Sequence, residues 1–121
     1  MKTILIIEDD SDIVRKMTIA LAGLGTIVAC TTGRGMKPMP VKEEVERMIA
    51  EANVILLDAD LGSRNSYQGK DLFPFCAGKK VIGISTHFSF GEVNYCRKNL
   101  LTFGDSPENQ KFRTLVSDQI Q

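Results

Sequence analysis

Short apolar runs alternate along this chain with segments whose apolar residues recur at helical spacing. The runs lie at residues 4–7, 27–29, 54–57, 81–84 and 100–103. Between them, apolar spacing of three and four residues predicts amphipathic helices over 13–24 and 41–52. A third stripe, near the C-terminus, follows Asp105-Ser106-Pro107, which predicts a capped helix start. Strands that alternate with helices predict an α/β fold, with a parallel sheet covered by helices on both faces.

Length and composition limit the class of protein. The 121 residues, 43% of them hydrophobic, fit a single domain over 1–121 that buries roughly two thirds of its unfolded surface. Fifteen basic residues balance fifteen acidic ones, so we expect neither a nucleic-acid nor a membrane partner. The apolar runs are too short to span a bilayer and no signal peptide opens the chain, which favours a cytoplasmic location. Three cysteines without CxxC spacing predict reduced, partly buried thiols.

Carboxylates follow two of the apolar runs. Glu8 and Asp9 come directly after the first run and Asp58 after the third, whereas Asp10 and Asp12 suit the start of the next helix. A doubly wound sheet has a crevice at the carboxyl ends of its strands, and in the flavodoxin-like order 2-1-3-4-5 strands one and three are neighbours there. Carboxylates about 4 Å apart repel by roughly 4 kcal/mol at an effective dielectric of 20, so this cluster needs a cation or a shifted pKa. Oxygen ligands favour Mg²⁺.

Three segments, in order and in spacing, resemble the receiver domain of two-component response regulators. Residues 4–10 are similar to the family's first strand and acidic pair, residues 54–58 to its phosphoacceptor strand, and residues 81–86 to its fourth strand with a switch hydroxyl. The resemblance covers essentially the whole chain. It implies a flavodoxin-like, five-stranded doubly wound sheet and a signalling role.

The resemblance also implies roles for individual residues. Asp58 would take a phosphoryl group from a histidine kinase or phosphotransfer protein, and Ser85 would close on that group. Glu8, Asp9 and Asp58, with the backbone carbonyl of Asp60, would hold Mg²⁺. Such a receiver catalyses at most its own phosphorylation and dephosphorylation. It would act on a downstream protein, or as a homodimer, through the fourth helix, fifth strand and fifth helix of the family.

The chain departs from the family pattern near the predicted fifth strand. If residues 100–103 form that strand, Phe103 and Gly104 stand where the family carries a phosphoryl-pairing Lys. Lys98 then precedes the strand and Lys111 lies in the last helix, so neither is expected to take the role. With that cation missing and an added carboxylate at Asp60, the phosphorylated state should gain little new contact energy. We therefore expect a weak switch, in which the Ser85 loop moves little.

Two other functions remain open. A pseudo-receiver that works as a binding module without regulated phosphorylation is supported by the expected loss of the Lys and opposed by retention of Glu8, Asp9 and Asp58. The motif Asp58-Ala59-Asp60 also fits an Asp-x-Asp phosphohydrolase of the haloacid dehalogenase type, with Asp58 as nucleophile and Asp60 as acid-base. In that class the motif usually follows the first strand, whereas here it lies in the middle of the chain.

Aromatic residues offer a candidate docking surface near the C-terminal half. A weak helical pattern spans 90–96, and four aromatic side chains fall on the elements that the family uses for output: Phe90, Tyr95, Phe103 and Phe112. If they are exposed together, they form an apolar patch of the kind that marks interaction sites. If they are buried, they are core residues, and the sequence leaves both readings open.

Overall fold

The computed structural model of the chain describes residues 2–32, 38–85 and 94–120, with the backbone alone described for Asn94 and Tyr95. The strands are β1 (Thr3–Ile7), β2 (Thr26–Cys30), β3 (Val54–Leu57), β4 (Lys80–Gly83) and β5 (Asn94–Tyr95). The helices are α1 (Ser11–Ala20), α2 (Lys42–Glu51), α3 (Gly69–Leu72) and α4 (Pro107–Ile120). Short 3-10 turns cover Phe73–Cys76 and Lys98–Leu100.

The sheet is parallel and centred on β1 and β3. β1 pairs with β2 on one side and with β3 on the other, β3 pairs with β4, and the two residues of β5 pair with Ile82 and Gly83 of β4. All four residues of β3 and the last four of β1 are buried, as expected for strands that are covered on both faces. The predicted α/β class and parallel sheet are confirmed.

Successive residues of the central strands serve two separate cores, because side chains alternate between the faces of a sheet. Leu5 and Ile7 pack with α2 and α3 on one face, whereas Ile4 and Ile6 pack with α1 and α4 on the other. Helices therefore cover both faces of the sheet, as the alternation of sequence patterns predicts.

The helix starts also follow the sequence. Asp10 caps α1, since its Oδ1 accepts hydrogen bonds from the N–H groups of Asp12 (2.9 Å) and Ile13 (3.4 Å). At the start of α4, Pro107 is the first helical residue, and Ser106 Oγ accepts from the N–H of Asn109 at 3.1 Å. All three cysteines are free and at least partly buried, which confirms that prediction. Among the described residues, no helix is long and apolar enough to cross a bilayer.

The predicted position of the fifth strand is wrong. Residues 100–103 are not a strand, because β5 lies upstream at Asn94–Tyr95 and a 3-10 turn follows it. The apolar run arises from loop packing instead: Leu101 is buried against α1 and α4, while Phe103 is half exposed. The weak helical pattern over 90–96 is also wrong at its C-terminal end, where the backbone is extended, and its earlier part lies outside the described residues.

Candidate functional site

The parallel pairing of the sheet continues past the strands and brings the two buried acids side by side. The N–H of Glu8 donates to Cys30 O, and the N–H of Asp58 donates to Ile7 O, each at 3.1 Å. Both acids therefore leave the carboxyl edge of the sheet at the same level. Glu8 is 0% exposed and Asp58 is 1% exposed, so both carboxyl groups lie in a medium where an unbalanced charge is costly.

Asp9 completes a cluster of three carboxylates. Glu8, Asp9 and Asp58 each offer a carboxylate oxygen, and these oxygens lie within 4.8 Å of one another. Asp9 is only partly buried and so forms the outer side of the cluster. The structure thus brings together the three acids that the sequence predicts to converge. Oxygen donors alone, on the rigid edge of a sheet, fit the ligand chemistry of Mg²⁺.

Lys98 supplies a cation inside this cluster. Its Nζ lies 2.9 Å from each carboxylate oxygen of Glu8 and 2.5 Å from Oδ2 of Asp58, and its side chain is 18% exposed. The expectation that neither Lys98 nor Lys111 stands at the site is therefore wrong for Lys98. The error follows from the misplaced fifth strand, since Lys98 comes just after β5, in a turn fixed by its own N–H bond to Ile84 O (3.2 Å). Lys111 lies exposed on α4, as expected.

Burial and charge shift the protonation of this network. Burial, and then the charge of Asp58, raise the pKa of Glu8 to about 9, although hydrogen bonds and charge from Lys98 partly offset them. Burial alone would lower the pKa of Lys98, but its hydrogen bonds to Asp58 and Glu8 outweigh burial and raise that pKa overall. The surroundings therefore raise the pKa of both groups and favour the protonated form of Glu8 as well as of Lys98.

Ser85 contacts the carboxylate of Asp58 directly. Its Oγ donates to Asp58 Oδ1 at 2.8 Å and accepts from the N–H of Ala59 at 2.8 Å. The N–H of Asp60 also donates to Asp58 Oδ1, at 3.2 Å. Both oxygens of Asp58 thus have partners, Oδ1 in Ser85 and Asp60 and Oδ2 in Lys98. Thr86, the last residue of the predicted switch segment, lies outside the described residues.

The side chain of Asp60 faces its own turn. Its Oδ1 accepts a hydrogen bond from the N–H of Gly62 at 3.0 Å, and the residue is exposed. The expected negative charge of Asp60 is therefore directed toward Gly62 and solvent. With Lys98 at the site, the premise that this cation is missing is wrong, whereas the effect of the Asp60 charge on Asp58 stays a prediction.

Gly69, which the sequence does not single out, lies against the backbone of Asp58. A methyl group added at Gly69 would lie 1.7 Å from the carbonyl oxygen of Asp58 and 2.9 Å from Cα of Ala59. Only glycine fits at this position, where α3 begins against the backbone of Asp58. Glycines in a long loop are too common to indicate such a contact, so its only sequence signal is its place at the end of the turn-rich segment that follows Asp58.

The structure describes the side chains of two of the four aromatic residues in the predicted patch. Phe112 is 1% exposed and belongs to the core, whereas Phe103 is 46% exposed. The ring of Phe103 lies 5.2 Å from the guanidinium of Arg15 and 5.0 Å from Nζ of Lys16, both on α1. Phe90 and the side chain of Tyr95 lie outside the described residues.

Comparisons with models of protein families and with curated proteins found no match to this chain. The geometry of the site is therefore the basis of the functional argument.

Proposed function

We propose that this chain is a receiver domain with the flavodoxin-like strand order 2-1-3-4-5, and that it accepts a phosphoryl group on Asp58 in a Mg²⁺-dependent reaction. The observation that carries the proposal is the set of partners around the Asp58 carboxylate. An ammonium group from Lys98 and a hydroxyl group from Ser85 both bond to it, and Glu8 and Asp9 lie beside it. A carboxylate that only contacted solvent at the end of a strand would need none of these partners.

The arrangement suits nucleophilic attack by a carboxylate on phosphorus. An oxygen of Asp58 forms the new P–O bond while the P–N bond of a phosphohistidine donor breaks. The electron pair of that bond stays on the imidazole nitrogen, which takes up a proton. Such transfer depends mostly on positioning and electrostatic stabilisation, because negative charge on the phosphoryl oxygens must be balanced. Lys98 is placed to balance that charge without leaving its turn.

Mg²⁺ would supply further charge neutralisation at the phosphoryl oxygens. Glu8, Asp9 and Asp58, together with the backbone carbonyl of Asp60, are the groups that would hold it. Lys98 contacts both carboxylate oxygens of Glu8, so a metal ion bound there would share an oxygen with Lys98 or replace one of these hydrogen bonds.

Ser85 is the candidate switch residue. Its hydroxyl group bridges Asp58 Oδ1 and the N–H of Ala59, so a phosphoryl group on Asp58 would compete for the same hydroxyl. Phosphorylation would then change the contacts of the β4 end, and through them the segment that follows. With Lys98 available to bond the phosphoryl group, we propose an ordinary rather than a weak switch.

The chemistry of the site also suggests its partners. A histidine kinase or phosphotransfer protein would present the phosphohistidine, and a downstream protein or a second copy would respond to the phosphorylated state. Three parts of the chain correspond to the output elements of the family. They are the segment that follows β4, strand β5 and helix α4. Among the aromatic side chains considered for that face, Phe103 is the described one with substantial exposure.

A binding module without phosphotransfer is the second candidate. Lys98, Ser85 and backbone N–H groups already provide partners for Glu8 and Asp58, so these two buried acids do not depend on a metal ion. The third candidate, an Asp-x-Asp phosphohydrolase, is less favoured because the Asp60 carboxylate bonds to the N–H of Gly62.

Intact-mass spectrometry distinguishes the three candidates. The protein is incubated with Mg²⁺ and an acyl phosphate as a small phosphodonor. We expect a phosphoryl adduct that is absent in Asp58→Asn and retained in Asp60→Asn, the matched control for an exposed acid on the same loop. Absence of an adduct in the wild type would favour the binding module. Continuous release of phosphate from unrelated phosphate esters, lost in Asp60→Asn, would favour the phosphohydrolase.

A further inference from the structure

The side chain of Gln68 forms hydrogen bonds to several backbone groups of the loop between β3 and α3. The Oε1 atom of Gln68 accepts a hydrogen bond from the N–H of Leu61 at 2.6 Å, and its Nε2 donates to the carbonyl of Gly62 at 2.9 Å and more weakly to that of Asn65 at 3.5 Å. We call residues 61–65 the strap. The amide of Gln68 thus supplies an acceptor to the Asp60–Leu61 peptide and a donor to the Gly62–Ser63 peptide. Gln68 therefore holds the backbone on both sides of the bond between Leu61 and Gly62.

The strap lies against the carboxylate of Asp9. Gly62 has a φ of +88°, in the left-handed region, and a methyl group added there would lie 3.2 Å from Asp9 Oδ2. The main chain of Asp9 is held separately, because its carbonyl accepts from the hydroxyls of Thr32 (2.7 Å) and Thr31 (3.3 Å). The backbone of Asp9 is thus held by the two threonines that follow β2, and the backbone of Gly62 lies close to its carboxylate.

The strap and Asp9 line the same cavity. Leu61 anchors one end of the strap in the core, and residues 61–65 border a cavity of about 420 Å³ that is also lined by Asp9, Thr32, Pro38 and Met39. The position of the strap therefore shapes the space beside Asp9. The hydrogen bonds from Gln68 connect the strap to the start of α3.

We propose that Gln68 is a positioning residue, which fixes the carboxylate of Asp9 through the backbone of Gly62. The inference rests on the proposed function only in giving Asp9 the role of a Mg²⁺ ligand. Residues that orient metal ligands without touching the metal typically change affinity by about 10- to 100-fold when they are removed. We expect Gln68→Ala to weaken Mg²⁺ binding by about tenfold, because Asp9 is one ligand of several.

The test uses two measurements on the full chain. The first is the carboxyl-carbon NMR signal of Asp9 without metal, and the second is Mg²⁺ affinity by calorimetry. Gln68→Ala should move the Asp9 signal and weaken Mg²⁺ binding. Asp71→Ala is the matched control, since it removes the bond from the N–H of Gln68 to Asp71 Oδ2 (2.8 Å) at the same helix start and leaves the Gln68 side chain in place. It should leave both measurements unchanged.

A third variant keeps the test decisive if Gln68→Ala does not fold. Gln68→Glu retains an acceptor for the N–H of Leu61 but places a second acceptor against the carbonyl of Gly62, so it should also displace the Asp9 signal. An Asp9 signal that stays unchanged in the folded Gln68 variants, or moves equally in Asp71→Ala, would overturn the proposal. If the signal moves as expected but the wild type binds no Mg²⁺, the positioning role stands and the proposed metal site fails.

Discussion

The inner and outer halves of the acidic cluster differ in how their charge is balanced. In the inner half, Glu8 and Asp58 are fully buried, and both are bonded to Lys98, whose side chain is largely buried. In the outer half, Asp9 is partly exposed and its carboxylate lies beside the backbone of Gly62. The ion pairs of the inner half are therefore already formed, whereas in the outer half the carboxylate of Asp9 lies beside the backbone of a loop.

This difference indicates how the two halves should respond to change. Burying a charged carboxylate without a partner costs more free energy than a surface interaction provides. The buried carboxyl groups of Glu8 and Asp58 therefore need partners for the chain to fold. Asp9 can be hydrated and has no such requirement. We therefore expect substitutions of the inner half to act on stability and substitutions of the outer half to act on metal binding.

The largest effect is expected for Lys98→Met, which keeps the apolar stem and removes the charge. It leaves Glu8 and Asp58 as buried acids without their cation, and breaking a buried pair in this way typically costs about 3–5 kcal/mol. Chemical denaturation should show a loss of this size, with Lys111→Met, an exposed lysine on α4, close to the wild type. A loss below about 1 kcal/mol, as for surface ion pairs, would mean that the inner network is not what balances these acids.

A somewhat smaller loss of stability is expected for Gly69→Ala. The added methyl group would overlap the carbonyl oxygen of Asp58, so the backbone must move, and overpacking of this kind typically costs about 1–3 kcal/mol. Gly104→Ala is the control, because a methyl group there meets no atom within 4 Å. Thermal unfolding of the two variants gives the comparison. Equal melting temperatures would show that α3 does not rest on Asp58.

Asp9→Asn should separate the two halves most clearly. We expect Mg²⁺ affinity to fall by about tenfold or more, since a charged ligand is lost, while the metal-free protein keeps or gains stability, because a carboxylate next to Glu8 and Asp58 loses its charge. Asp118→Asn, an exposed acid on α4, should change neither quantity. Calorimetry and denaturation in chelator are the measurements. A large loss of metal-free stability would place Asp9 with the inner half.

A pH dependence is also expected, and it arises from Glu8. Burial raises its pKa from 4.5 to about 9, so this group stabilises the metal-free fold fully below about pH 4.5, and that contribution declines as pH rises toward 9. Metal binding requires the carboxylate and releases the proton, so Mg²⁺ affinity should rise with pH up to about 9. In Glu8→Gln this rise between pH 7 and 9 should disappear. A rise that persists unchanged in that variant would assign the titration to another group.

Much of the fold could be predicted because its signals are long and periodic. The buried runs at 4–7 and 54–57 and the stripes of α1, α2 and α4 extend over several residues, and side chains before α1 and α4 also cap those helices. The convergence of Glu8, Asp9 and Asp58 follows from parallel strands that end at one edge. These features can be predicted even when the boundary of a strand or helix is misplaced by one or two residues.

The fifth strand and Lys98 could not be predicted in the same way. A strand of two residues carries almost no periodic signal, and the more apolar run at 100–103 competed with it. That run is apolar because Leu101 reaches the α1–α4 core and because the ring of Phe103 lies near two cations of α1. A short edge element is placed by its tertiary contacts, so its position, and with it the location of the site's cation, became clear only from the fold.

Gln68 and Gly69 were missed for a related reason. Their roles come from backbone proximity, with Gln68 bonded to the strap and Gly69 in contact with the peptide of Asp58. Loop conformation depends on which N–H and carbonyl groups happen to meet, and residue types in a turn-rich segment do not specify those pairings. The sequence showed only that the loop is long and rich in turn formers.

The central claim is that Asp58 is the phosphorylated residue, and reductive trapping tests it most directly. The protein is incubated with Mg²⁺ and an acyl phosphate and then treated with borohydride, which reduces an aspartyl phosphate to homoserine. Peptide mass mapping locates the reduced residue. We predict homoserine at position 58 alone, and none when Mg²⁺ is chelated. Homoserine at position 9 or 60, or at no position in the Mg²⁺-loaded protein, would contradict the account.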